Sequence, residues 1–115
     1  MKRGYVLLCL CGVALASDQH REYDYAALLQ ASTRASENAW LQAGEHRFMA
    51  LWIEAEKPSV KQAAIILHDA GEHPDQRPLI HELRTVLPQH GWSSLALQMP
   101  LRESGAKTDD YYALF

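Results

Sequence analysis

The segment Ala63–Met99 constrains this chain most. Two apolar runs, AAIIL at Ala63–Leu67 and WSSLALQM at Trp92–Met99, flank a helical repeat. At its length the first run reads as a buried strand rather than a helix. Leu79, Ile80, Leu83, Val86 and Leu87 then recur at helical spacing as far as His90. The helix opens at Arg77-Pro78, where a proline in the first turn sacrifices no internal hydrogen bond. Pro88 is expected to distort its last turn, and Gly91 to stop it. Strand, helix and strand of this length form a βαβ unit with parallel strands, a crossover that is almost always right-handed. The fold class is therefore α/β.

Upstream, AWLQAGEHRFMALWIEAE holds two extended segments, Ala39–Gln42 and Arg47–Glu54, around a hairpin turn at Ala43-Gly44-Glu45. In the second segment Phe48, Ala50 and Trp52 share one face, and Met49, Leu51 and Ile53 the other. Apolar groups on both faces suit a strand in a sheet covered on both sides. Tyr25, Leu28, Leu29 and Ala35 predict a helix over Arg21–Glu37, weakened by Ser32, Thr33 and Ser36. Asp109-Asp110-Tyr111-Tyr112 reads as the first turn of a further helix, with acids where the helix dipole favours them.

The first sixteen residues, MKRGYVLLCLCGVALA, have the layout of a secretory leader. Lys2 and Arg3 precede an apolar stretch, Tyr5–Val13, and a small-x-small cleavage site at Ala14-Leu15-Ala16. The stretch is too short to cross a hydrocarbon core of about 30 Å. Cleavage near Ala16 predicts a periplasmic or secreted protein with no stable membrane anchor. It also removes Cys9 and Cys11, so no disulfide or thiol chemistry is expected. Without Lys2 and Arg3 the acidic excess deepens from the −3 of the whole chain, and no basic cluster appears, which argues against nucleic-acid partners. The 48% apolar content is that of a globular domain. The expected organisation is a leader at 1–16, a helical segment at 17–37 and a single α/β domain at 38–115.

The loop after the first apolar run, HDAGEHPD at His68–Asp75, holds the candidate functional residues. His68 reads first as the structural end of a strand, where an imidazole can satisfy loop backbone groups. His73 and Asp75 serve the turn around Pro74, with Asp75 positioned to cap the following helix. A rival reading gathers His68, Asp69, His73 and Asp75 as nitrogen and oxygen ligands for zinc or a related ion. Against it, the spacing matches no standard motif and no second ligand cluster occurs. No cofactor is expected. His20, His46, His81 and His90 read as scattered surface residues, and Trp40, Trp52 and Trp92 as core or half-buried packing.

WLQAGEHRFMALW, AAIILHDAGEHPD and HGWSSLALQMP together resemble an uncharacterised family of exported Gram-negative bacterial proteins with α/β-hydrolase-like sequences. The resemblance spans Trp40–Pro100. It implies the N-terminal part of an α/β-hydrolase-like sheet: helix, hairpin, then βαβ unit, with the first apolar run open on one side to a further strand. That edge would be flat and apolar, and self-association through it is expected. The resemblance also implies that Asp69, Ala70 and Gly71 occupy the oxyanion loop, with the N–H of Ala70 as the donor. Asp69 stands where such loops carry glycine, and a carboxylate there opposes the charge an oxyanion hole stabilises. A nucleophile elbow, G-x-S-x-G, is missing, and Gly91-Trp92-Ser93-Ser94 has the wrong spacing at the wrong end of a strand. No catalytic residue is assigned. The chain is expected to be inactive alone, its longer relatives being ester or acyl hydrolases; the alternative is a non-catalytic periplasmic binding or interaction domain.

Overall fold

A computed structural model describes residues 17–57 and 59–113. The expected leader, Met1–Ala16, lies outside them. Helix α1 (Gln19–Ser32) leads to a short 3-10 turn, Ala35–Glu37, and the hairpin β1 (Asn38–Ala43) and β2 (His46–Ile53). Then come β3 (Ala63–Leu67), α2 (Leu79–Val86), β4 (Ser93–Leu97) and a one-turn helix α3 (Thr108–Tyr112). The four strands form one mixed sheet in the order β1-β2-β4-β3. The β1/β2 and β2/β4 pairs are antiparallel, while β3 and β4 run parallel with Ile65 opposite Leu95. This is the α/β class and the βαβ unit that the spacing predicts.

Local chemistry sets the boundaries. Asp18 caps α1, its carboxylate accepting the N–H of Arg21 at 3.0 Å. The helix does not continue to Glu37 as the sequence pattern suggests. The hydroxyls of Ser32 and Thr33 bond the carbonyls of Leu28 and Leu29 at 2.8 and 2.7 Å, and Thr33 is already extended. Such side-chain bonds compete with helix propagation. Helix α2 passes into a 3-10 turn at Leu87–His90, with Pro88 near its start, and Gly91 closes it at φ 87°, in the left-handed region that glycine enters freely.

The core lies on one face of the sheet. Met49 and Leu51 of β2, Ala96 of β4 and Ile66 of β3 meet Ala26 and Leu29 of α1 and Ile80 of α2. Trp40 and Leu87 pack against this cluster. The opposite face is covered only in part. Ala50 at its centre is buried, but Trp52, Ile65 and Leu67 are exposed on it, to 67% for Ile65, so the expectation of a sheet covered on both sides fails towards β3. The same correction applies to β3, which reads as a buried strand but is an edge strand with only Ile66 buried. Trp52 and Trp92 are likewise exposed, whereas Trp40 packs as expected. Helix α2 turns Ile80, Arg84 and Leu87 inward and leaves Leu79, Leu83 and Val86 exposed.

Because Leu51 is fully buried at the centre of the covered face, Leu51→Ala is expected to cost about 2–5 kcal/mol in urea unfolding. Ile65→Ala, on the open face, is expected to stay within about 0.5 kcal/mol. Equal effects would contradict the one-sided core.

Candidate functional site

The loop from His68 to Asp75 leaves the sheet at the carboxyl end of β3, beside the carboxyl end of β4. His68 is buried and joins the two. Its Nδ1 lies 2.7 Å from the carbonyl oxygen of Asp69, which can only accept, so Nδ1 carries the proton. Its Nε2 then accepts the N–H of Met99 at 2.9 Å, just past β4. The Gln98 amide nitrogen sits 3.2 Å from the same Nε2 and also reaches the carbonyl oxygen of Met99 at 2.9 Å. Burial lowers the pKa of His68 from 6.5, outweighing the carbonyl of Asp69 and the carboxylate of Glu72. The imidazole is thus neutral, held as one tautomer, and bonded at both nitrogens. It has no lone pair left for a metal or a substrate proton.

The oxyanion candidates follow directly. The N–H of Ala70, the expected donor, is bonded to the Asp69 carboxylate at 2.7 Å. The N–H of Asp69 points to the Glu72 carboxylate at 3.3 Å, and the N–H of Glu72 returns to the Asp69 carbonyl at 3.1 Å. Gly71 turns the chain at φ 79°, and its carbonyl accepts the Tyr25 hydroxyl of α1 at 3.0 Å. The N–H groups of Asp69 and Ala70 therefore face the chain's own carboxylates.

Asp75 does something the sequence did not suggest. Helix α2 has no side-chain cap; Pro78 precedes it and Asp75 does not reach its N-terminus. Instead one Asp75 oxygen, Oδ1, accepts both Nδ1–H of His81 and Nε–H of Arg84, each at 2.6 Å. The buried Arg84 reaches on to Glu37 at 3.1 Å, tying α2 to the turn before β1. Burial alone would raise the Asp75 pKa, but the hydrogen bonds from Arg84 and His81 outweigh it and hold the carboxyl below 3.8. His73 stays within the turn, its Nδ1 accepting the N–H of Asp75 at 3.2 Å and its ring 5.0 Å from that of Tyr25. Burial lowers its pKa from 6.5 as well.

These placements dissolve the metal grouping. Asp75 turns to Arg84, His68 to the ends of β3 and β4, and Asp69 to Ala70. Among the described residues no group of three or more His, Cys, Asp or Glu is gathered to hold an ion.

A buried acid, Glu22 of α1, was not singled out by the sequence. It accepts the N–H of Leu101 at 2.8 Å and the Ser17 hydroxyl at 3.3 Å. The Nε2 of His46 lies 3.1 Å from its other oxygen, at ion-pair distance but without hydrogen-bond alignment. Burial raises the Glu22 pKa above 4.5, against the lowering effect of the Leu101 N–H and His46. His46 and His81 are therefore engaged in polar clusters rather than scattered on the surface.

Two clefts flank the loop. One, of about 410 Å³, borders Leu67, His68, Asp69, Glu72, Arg77 and Leu79. The other, of about 340 Å³, lies among Arg21, Gly71, Arg102, Thr108 and Tyr111. Neither is lined by serine, cysteine or lysine. Ser93 and Ser94 sit at the far end of the sheet: Ser94 pairs with Ala64, four residues or about 13 Å along the strand from His68. The Ser94 hydroxyl, buried, bonds the Arg84 carbonyl at 2.7 Å, and that of Ser93 accepts the N–H of Ala55 at 2.9 Å.

The molecule is thus a mixed α/β domain whose strand-to-helix loop is closed upon itself. A family profile described as "Protein of unknown function (DUF3530)" matches residues 13–113, and the chain belongs to that family. No curated protein and no solved structure matches it.

Removing either aspartate separates the two roles. Asp75→Ala leaves Arg84 buried without its nearest partner and is expected to cost about 3–5 kcal/mol in urea unfolding. Asp69→Ala is expected to leave stability nearly unchanged and to speed hydrogen exchange at the Ala70 amide. A protected Ala70 amide in that variant would contradict the carboxylate bond.

Proposed function

We propose that these residues form the oxyanion-loop portion of an exported α/β-hydrolase-like domain, and that they carry no acyl chemistry of their own. The observation that carries the reading is the sheet order β1-β2-β4-β3 with a sharp loop after β3 leading into α2. In open α/β sheets ligands bind outside the carboxyl ends of the strands, which is where His68–Asp75 and both clefts lie. Fold analogy alone is thin warrant for activity. Here the side chains supply the argument against it: the expected oxyanion donor is bonded to Asp69, His68 is saturated, and Ser93 and Ser94 lie at the opposite strand ends. A hydrolase of this architecture needs a nucleophile in contact with a histidine base, and among the described residues no serine or threonine hydroxyl is bonded to a histidine ring; the Ser17 hydroxyl meets only the Glu22 carboxylate. Export rests on the layout of Met1–Ala16 in the sequence; among the described residues no helix is long and apolar enough to cross a membrane.

The test is direct. The purified chain is expected neither to hydrolyse p-nitrophenyl butyrate above the buffer rate nor to be labelled by a fluorophosphonate. A labelled serine whose alanine variant abolishes turnover would overturn the inactive reading. The hydrolase half is tested separately, in the coding sequence downstream of the Phe115 codon. G-x-S-x-G followed by an aspartate and a histidine is expected there; their absence would overturn the hydrolase reading.

A further inference from the structure

Among the described residues no strand pairs with the outer edge of β3. The N–H of Ser93 bonds the carbonyl of Gln62 at 3.0 Å, which fixes the phase of the parallel ladder with β4. In that phase the backbone groups of residues 62, 64 and 66 face β4, and those of Ala63, Ile65 and Leu67 face outward. The same three residues place their side chains on the open face, where Ile65 is 67% and Leu67 54% exposed. An edge that is apolar, exposed and uncharged along its whole length is a template for strand addition.

We propose that the occupant is a second copy of this chain, paired antiparallel through β3 about a two-fold axis at Ile65. That register sets Ile65 opposite Ile65 and Ala63 opposite Leu67 of the second copy. All three outward residues then fall in hydrogen-bonded pairs, giving about six bonds between the copies. A shift by one residue would turn outward groups against inward ones and lose them.

The charges flanking the strand agree with this register. Lys61 lies two residues before Ala63, and Asp69 two residues after Leu67. Two-fold pairing about Ile65 sets Lys61 of each copy opposite Asp69 of the other, an opposite-charge pair at both ends of the apolar seam. A parallel pairing in the same register would set lysine against lysine and aspartate against aspartate, which is unfavourable. Asp69 Oδ1 accepts the Ala70 N–H, and its second oxygen is available to Lys61.

A third feature adjoins the seam. Leu79, Leu83 and Val86 form an exposed stripe on α2, and Leu79 borders the same cleft as Leu67 at the β3 edge. A two-fold axis perpendicular to the sheet keeps α2 of both copies on one side. The two leucine stripes would face each other across the seam, covering surface that the single chain leaves wet. The open face itself then continues across an eight-stranded sheet.

Sedimentation equilibrium of the full chain tests it. The wild type is expected to show a concentration-dependent monomer–dimer equilibrium, and Ile65→Lys to be monomeric throughout. Lys61→Asp and Asp69→Lys, each of which creates two like-charge pairs per dimer, are expected to weaken dimerisation on the order of tenfold. The double variant Lys61→Asp/Asp69→Lys restores both pairs and is expected to return to the wild-type constant. A monomeric wild type would overturn the proposal and leave the edge to some other strand. Association unchanged by Ile65→Lys would overturn it too, assigning the contact to another surface such as the apolar leader. A double variant no tighter than the singles would overturn the register.

Discussion

The imidazole of His68 is the interaction on which this structure turns. Two parallel strands end side by side there, and each end exposes backbone groups that the sheet no longer pairs. His68 meets both, donating a hydrogen bond to the Asp69 carbonyl and accepting one from the Met99 amide. Only a neutral ring can do this, because the charged form has no acceptor. Burial enforces that state by lowering its affinity for a proton. The loop that follows is a turn in which the Asp69 and Ala70 amides are satisfied by the carboxylates of Glu72 and Asp69.

Two acids, the partly buried Asp75 and the buried Glu22, extend this order to the rest of the fold. Asp75 collects His81 and Arg84, and Arg84 carries the connection to Glu37, so α2 is locked to the loop before it and to the turn ahead of the hairpin. Glu22 holds α1 against the chain leaving β4 through the Leu101 amide. Both clusters rim the covered face, where Met49, Leu51 and Ala96 form the dry centre. Polar fastening and apolar burial thus reinforce one face of the sheet. The other face keeps Trp52, Ile65 and Leu67 in solvent, and the β3 edge keeps its backbone groups there as well. The pairing proposed for β3 would use the exposed side of this asymmetry.

Much of this was legible from the residues. The AAIIL strand, the hairpin at Gly44, the 3-10 distortion at Pro88 and the stop at Gly91 all follow from short-range patterns, because turn chemistry and backbone sterics act over a few residues. The open face was not legible. Apolar residues alternate on both sides of Arg47–Glu54, a pattern identical to that of a strand covered on both faces, and nothing local distinguishes a cover that is present from one that is lacking. The polar clusters were hidden for another reason. Glu22 and Leu101 are 79 residues apart, and Arg84 and Glu37 are 47 apart, so only the assembled fold brings them together. Asp75 shows how a sound local rule loses to tertiary context: an aspartate shortly before a helix usually caps it, but a buried guanidinium nearby offers a stronger partner.

The central claim is that His68 is a neutral, doubly bonded strut rather than a base or a ligand. The most direct measurement is a long-range proton–nitrogen correlation spectrum of its ring as pH is lowered through 6.5, the ordinary histidine value. The account predicts a single tautomer with the proton on Nδ1 and a ring that is predominantly uncharged at that pH. A proton on Nε2, or a ring that titrates at or above 6.5, would contradict it.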